Sequence, residues 1–153
     1  MGRRSRIALA AAFLSSLWRV SLAQPASPDE TTIRNSLIDW AQHFNARNTD
    51  RVCGLFDSDL RYDYRGYPER GFDQICGLLQ RSLTDNTRTY SYSLNIKEVL
   101  VSGDLAVVRL VWTLKINPVG SANEAVTQEP GIDIFRKQPD GGWKIIRYIA
   151  YEE

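Results

Sequence analysis

Hydrophobic positions recur with a helical period in the first third of the chain and with an alternating period after it. Ile33, Leu37, Trp40, Ala41 and Phe44 fall on one face of an amphipathic helix over Thr31 to Arg47. Pro28-Asp29-Glu30-Thr31-Thr32 supplies its start, with acids near the positive end of the helix dipole. Residues Gln24 to Glu30 read as a short flexible tail. Asn48-Thr49-Asp50 breaks this helix and caps a short second one carrying Val52, Cys53, Leu55 and Phe56. Leu60 to Tyr64 reads as a short strand, and Gly66, Pro68 and Gly71 as a loop. A third helix, Phe72 to Leu83, puts Phe72, Ile75, Cys76 and Leu79 on one face.

After Asp85-Asn86 the residues become β-branched and aromatic. Strands are expected over Thr89 to Val101, Leu105 to Ile116, Thr127 to Lys137 and Trp143 to Tyr151. Ser102-Gly103-Asp104 and Pro139-Asp140-Gly141-Gly142 are hairpin turns, and Asn117 to Asn123 is a Pro/Gly loop. Pro130-Gly131 near the start of its strand predicts a bulge or an edge. Helices first and an antiparallel meander afterwards give an α+β domain, with three N-terminal helices packed on one face of a curved, mainly antiparallel sheet. In the second long strand Ala106, Val108, Leu110, Trp112, Leu114 and Ile116 are all apolar, so this face meets the helices. The alternate set, Leu105, Val107, Arg109, Val111, Thr113 and Lys115, is too apolar at its centre for plain solvent. A partner subunit in a symmetric homodimer is expected there.

The amino terminus changes the charge picture. Arg3, Arg4 and Arg6 precede an apolar run, Ile7 to Trp18, of about twelve residues, too short to span a bilayer. Ser21-Leu22-Ala23 provides small residues for cleavage, so residues 1–23 read as a signal peptide cut after Ala23. An uncleaved anchor is the alternative, but Arg19 cuts the run short. Arg3-Arg4 is also compatible with a twin-arginine signal. The whole chain has 19 Lys and Arg against 18 Asp and Glu, and four of the arginines lie in the leader. The mature chain is therefore mildly acidic, periplasmic or secreted, and a poor nucleic-acid binder. No stable membrane insertion is expected after cleavage.

Export permits a disulfide between the two cysteines, Cys53 and Cys76, each followed by Gly-Leu on an apolar stretch. Two buried free thiols are the alternative. They lack Cys-x-x-Cys spacing, and with a single histidine they do not make a zinc site. Asp57, Asp59 and Asp63 span a helix end and a strand, so they are not expected to converge on calcium. Neither a metal nor a cofactor is expected.

The element order resembles the nuclear transport factor 2 / SnoaL-like / ketosteroid isomerase superfamily. The likeness is carried by Phe44-Asn45-Ala46-Arg47-Asn48-Thr49-Asp50, by Leu55-Phe56-Asp57-Ser58-Asp59, by Gly131-Ile132-Asp133-Ile134-Phe135-Arg136 and by Gly142-Trp143-Lys144-Ile145. It implies a cone-shaped pocket between helices and concave sheet in residues 31–153, commonly in a dimer. It does not settle activity, since such folds host isomerases, dehydratases and proteins with no chemistry. Ketosteroid isomerases use an aspartate base and an oxyanion hole of a tyrosine and a protonated aspartic acid. Laid on this chain, the tyrosine position is Trp40, the base position is Tyr64, and only the aspartic acid is kept, as Asp133.

Asp133 stands between Ile132 and Ile134 on the face of Phe135, where burial raises a carboxyl pKa unless a cation holds it. It reads either as a hydrogen-bonding acid for a ligand or as the partner of Arg147 or Arg109. His43, the single histidine, is near the Trp40 face and is a candidate base. Trp40, Tyr62, Tyr64, Trp112, Arg147 and Tyr151 are the candidate ligand-binding residues, an aromatic wall with few polar anchors that suits a small apolar molecule. Tyr62 and Tyr64 share one strand face and Asp63 takes the other. Burial favours the tyrosines inward, leaving Asp63 exposed or paired with Arg61 or Arg65. The expected function is small-molecule binding, with proton-transfer chemistry of the isomerase or dehydratase kind. The alternative is a non-catalytic interaction protein that uses its sheet face.

Overall fold

A computed structural model describes residues 25–153. The predicted leader lies outside the described residues. Helix α1 (Pro28–Asn45) begins three residues earlier than the periodicity alone indicates. Ser27 is its N-cap: the Ser27 hydroxyl accepts from the Glu30 N–H at 3.1 Å, and Pro28 takes the first turn, where no N–H is needed. Asp29 also accepts from Trp143 Nε1 at 3.2 Å and pairs with Lys137 at 2.9 Å. The end of the expected flexible tail is thus helical and tied to the sheet.

The expected second helix is absent: α1 and α2 (Phe72–Thr84) are the two helices of the described residues. Between them the chain makes successive four-residue turns, Arg51 N–H to Asn48 C=O, Gly54 N–H to Arg51 C=O and Phe56 N–H to Cys53 C=O. Gly54 weakens a helix here, and Phe56 is taken by the first strand, where it pairs with Ile145. Cys53 and Cys76 form a disulfide with Cα atoms 5.4 Å apart, joining this turn segment to α2.

The strands are β1 (Phe56–Tyr64), β2 (Arg70–Gly71), β3 (Arg88–Ser102), β4 (Leu105–Pro118), β5 (Ala125–Lys137) and β6 (Trp143–Ala150). They form one six-stranded sheet in the order β2-β1-β6-β5-β4-β3. Strands β3 to β6 are an antiparallel meander, and β1 joins β6 in parallel, so the sheet is mixed. Bulges at Ile96/Glu98 and Ile134/Phe135 bend it. Pro130 does not mark an edge of the sheet, because β5 is central. It sits just past the last β5–β6 pair, Gly131 with Ala150, and its carbonyl accepts from the Tyr151 N–H at 3.3 Å.

The inner face of the sheet takes the helices. Ile33, Leu37, Trp40 and Phe44 of α1 and Ile75, Leu79 and Leu83 of α2 are buried with Ala106, Val108, Leu110, Phe135 and Ile145. Each such aliphatic or aromatic side chain contributes about 1.5–3 kcal/mol when fully buried. The outer face exposes Leu100, Leu105, Val107, Ile132 and Ile149.

Candidate functional site

The inner face of β5 reads Glu129, Gly131, Asp133, Phe135. Asp133 lies opposite Val108 of β4 and Tyr148 of β6, and Tyr148 lies opposite Tyr62 of β1. The Tyr62 and Tyr148 rings stack with centroids 4.3 Å apart. Asp133 is 5 % exposed, and neither its Oδ2 nor the Tyr62 hydroxyl has a hydrogen-bond partner among the described residues. Burial pushes the Asp133 carboxyl up to about 7. Burial, then the adjacent Tyr62 phenol and Asp133, push Tyr148 well up, so it stays a neutral phenol. A buried carboxyl beside two stacked phenols places hydrogen-bonding groups inside an apolar shell.

Among the described residues Asp133 has no cationic partner. Continued from the pairs Lys137 with Trp143 and Phe135 with Ile145, the hairpin register would place Arg147 opposite Asp133. The extra β6 residue between Ile145 and Arg147 shifts the register by one, bringing Tyr148 there and Arg147 opposite Ile134. Arg147 therefore lies on the outer face, where it donates to the Asp59 carbonyl at 3.0 Å. Arg109 is also outside, 3.6 Å from Glu98. Neither expected ion pair forms, and Arg147 does not line the interior with Asp133.

Toward the other end of β5, Glu129 lies opposite Trp112 and is 9 % exposed. Its Oε1 is 3.0 Å from the Tyr64 hydroxyl, and its Oε2 is 3.4 Å from the Tyr92 hydroxyl. The Tyr64 hydroxyl is also 3.1 Å from Glu152 Oε1 in the C-terminal segment. Burial raises the Glu129 carboxyl; the Tyr64 and Tyr92 bonds oppose this, and the Glu152 charge adds to it. Burial and the Glu129 and Glu152 carboxylates push both tyrosines up. Gly131 leaves bare backbone between the two acids: a Cβ there would come 2.8 Å from the Ile149 carbonyl oxygen.

Glu129 was not among the residues singled out from the sequence. It precedes a proline in a polar stretch. The one signal that could have found it is its even spacing from Asp133 along a strand.

The other expected residues divide. Tyr62 and Tyr64 point inward and Asp63 is exposed, as the burial argument requires. Trp40 is buried, and its only donor, Nε1, is taken by the Val52 carbonyl at 2.7 Å. It is a wall, packed on Phe44, Tyr92 and the half-buried Trp112 with centroids 5.1–5.5 Å away. His43 is half-buried in the last turn of α1, and its imidazole makes no hydrogen bond among the described residues. The buried α1 positions at that end are Trp40, Ala41 and Phe44, so the structure does not bring His43 to Asp133. Tyr151 is 39 % exposed and helps line a concavity of about 400 Å³ with Tyr64, Arg65, Tyr67 and Ile149. A second, of about 360 Å³, lies among Cys53, Phe56, Asp57, Phe72 and Lys144. Asp133 lines neither; it is enclosed.

Asp57, read as one of three scattered acids, is buried and held by Arg136 at 3.1 Å, Gln138 at 3.0 Å and the Asp59 N–H at 3.0 Å. It is a structural anion. Among the described residues there is no group of three or more metal-ligating side chains, and no helix is long and apolar enough to cross a membrane.

The model of the SnoaL-like domain family matches residues 37–148. No curated protein matches the chain. Solved structures share the fold at low identity. A conserved protein from Planctomyces limnophilus DSM 3776 is 19 % identical with a TM-score of 0.71, over 82 % of this chain and 96 % of that one. A ketosteroid isomerase-like protein from Erwinia carotovora atroseptica SCRI1043 is 20 % identical with a TM-score of 0.67, over 83 % and 98 %. A candidate scytalone dehydratase from Novosphingobium aromaticivorans DSM 12444 is 21 % identical with a TM-score of 0.69, over 80 % and 83 %.

Proposed function

The chain belongs to the SnoaL-like domain family, and from that premise we propose that it is an exported small-molecule-binding protein. A compact, mostly apolar ligand with one polar group enters between α1 and the inner sheet face by displacing side chains there, since Asp133 lines neither open concavity. Any chemistry there is proton transfer of the isomerase or dehydratase kind. One observation carries this reading: Asp133 Oδ2 is buried without a partner among the described residues. A buried polar group left unpaired costs about 1–3 kcal/mol. A ligand oxygen accepting from the neutral acid removes that cost. The aromatic surroundings, Trp40, Tyr62, Trp112 and Tyr148, suit an unsaturated ring. The disulfide and the arginine-led apolar leader support export.

The test is a thermal-shift titration with small phenols and cyclic enones at pH 6. The wild type gains stability with ligand, and Asp133→Leu, which removes the polar anchor, does not. Equal shifts for both proteins, or none for either, would refute the reading.

The outer face favours a second role. Ile132 and Ile149 are paired neighbours across β5 and β6, 46 % and 62 % exposed, with Val107 and Leu100 beside them. This stripe suits another protein surface, and a second copy of the chain is the simplest occupant.

A further inference from the structure

The hydroxyl of Tyr64 stands between two carboxyl groups, 3.0 Å from Glu129 Oε1 and 3.1 Å from Glu152 Oε1. A phenol has one proton to donate, and an ionised carboxylate can only accept. Tyr64 therefore satisfies both contacts when one of the two acids carries a proton and donates it to the phenol oxygen. Glu129 is the acid placed for this. It is buried and forms no ion pair among the described residues, while Glu152 is exposed. Its second oxygen, Oε2, accepts from Tyr92 at 3.4 Å, the pattern of a carboxylic acid that donates through one oxygen and accepts through the other.

We infer that Glu129, Tyr64 and Glu152 form a proton path between the interior of the cone and water. In one step Glu129 gives its Oε1 proton to the Tyr64 oxygen, while the proton already on Tyr64 passes to Glu152 Oε1. The phenol is unchanged, and one negative charge moves from Glu152 to Glu129. Glu152 then releases its proton to solvent, and the reverse sequence reloads Glu129.

Two further features place this path at a site. Asp133, with its unpartnered oxygen, lies four residues along on the same face of β5, separated from Glu129 by side-chain-free Gly131. Tyr64 also lines the open 400 Å³ concavity beside Tyr67 and Tyr151. The titratable groups set against Glu129 are Tyr64 of β1, Tyr92 of β3 and Glu152 of the C-terminal segment. The use of the path to exchange protons with a ligand rests on the function proposed above; the path itself does not.

The experiment is a carbon-13 NMR titration of ligand-free protein labelled at the glutamate carboxyl carbons. It compares wild type with Tyr64→Phe and Glu152→Gln. In the wild type, Glu129 keeps its proton to higher pH than an ordinary exposed glutamate. Glu152→Gln, at an exposed terminal position, moves the Glu129 midpoint down because a like charge is removed. Tyr64→Phe removes the shared hydrogen bond and weakens the coupling, leaving only the direct charge effect of Glu152. A wild-type Glu129 that titrates with the exposed glutamates, or a Glu129 curve unmoved by Glu152→Gln, would overturn the inference. Because no ligand is present and Asp133 is intact, this result stands or falls separately from ligand binding.

Discussion

Asp133 faces Tyr148 across the β5–β6 ladder, where a regular hairpin register would have put Arg147. One inserted residue in β6 therefore separates an ordinary buried ion pair from an unpaired acid among phenols. The consequence is electrostatic. An acid paired with Arg147 would have a lowered pKa, whereas burial alone raises that of Asp133 to about 7.

That raised value fixes how stability depends on pH. The native state holds the Asp133 proton more tightly than the unfolded chain, whose aspartates titrate near about 4. The contribution is fully present below about 4 and is lost as pH rises through about 7. Across that window the loss is on the order of 4 kcal/mol. Asp133→Asn lacks it. Urea unfolding at a series of pH values should show the variant close to wild type at pH 4 and the more stable protein above pH 7. Parallel pH profiles would contradict this.

Asp57 behaves with the opposite sign. Burial would raise its carboxyl, but the Asp59 N–H, Arg136 and Gln138 outweigh that and hold it below the usual range. Its contribution is present above the unfolded value and is lost as pH falls through the folded one. Asp57→Ala should lower stability by about 2 kcal/mol at neutral pH. The deficit should shrink in acid, as read by the same urea series.

The Cys53–Cys76 bridge closes a loop with a sequence separation of 23 residues. The double variant Cys53→Ala/Cys76→Ala should lose about 3 kcal/mol in denaturant unfolding while keeping its far-ultraviolet circular dichroism. An unchanged unfolding midpoint would show that the bridge does not constrain the chain.

On the outer face, Ile132→Lys puts a charge into the exposed apolar stripe without touching the core. Sedimentation should find the wild type as a dimer and the variant as a monomer. Two proteins of the same mass would remove the case for a second copy on that face.

Much of this architecture was legible in the chain. The hairpin turn at Gly103, which has positive φ, the α2 periodicity and the all-apolar set of β4 are local signals, and the structure follows them. The segment around Gly54 was not legible as turns. Its apolar spacing suits one helical turn, and only the pairing of Phe56 with distant Ile145 decides for a strand.

The site was half legible. Asp133 and the inward tyrosines follow from strand alternation. The rejection of Arg147 depends on a bulge that no local residue type announces. Glu129 gains its meaning only when β1, β3 and the C-terminal segment bring Tyr64, Tyr92 and Glu152 to it.

Native mass spectrometry of the protein purified from its cellular compartment tests the central claim most directly. The account predicts a small additional mass on the wild type, released on denaturation and strongly reduced in Asp133→Leu. A wild-type protein that flies without added mass, and binds none of the phenols or enones offered to it, would contradict it.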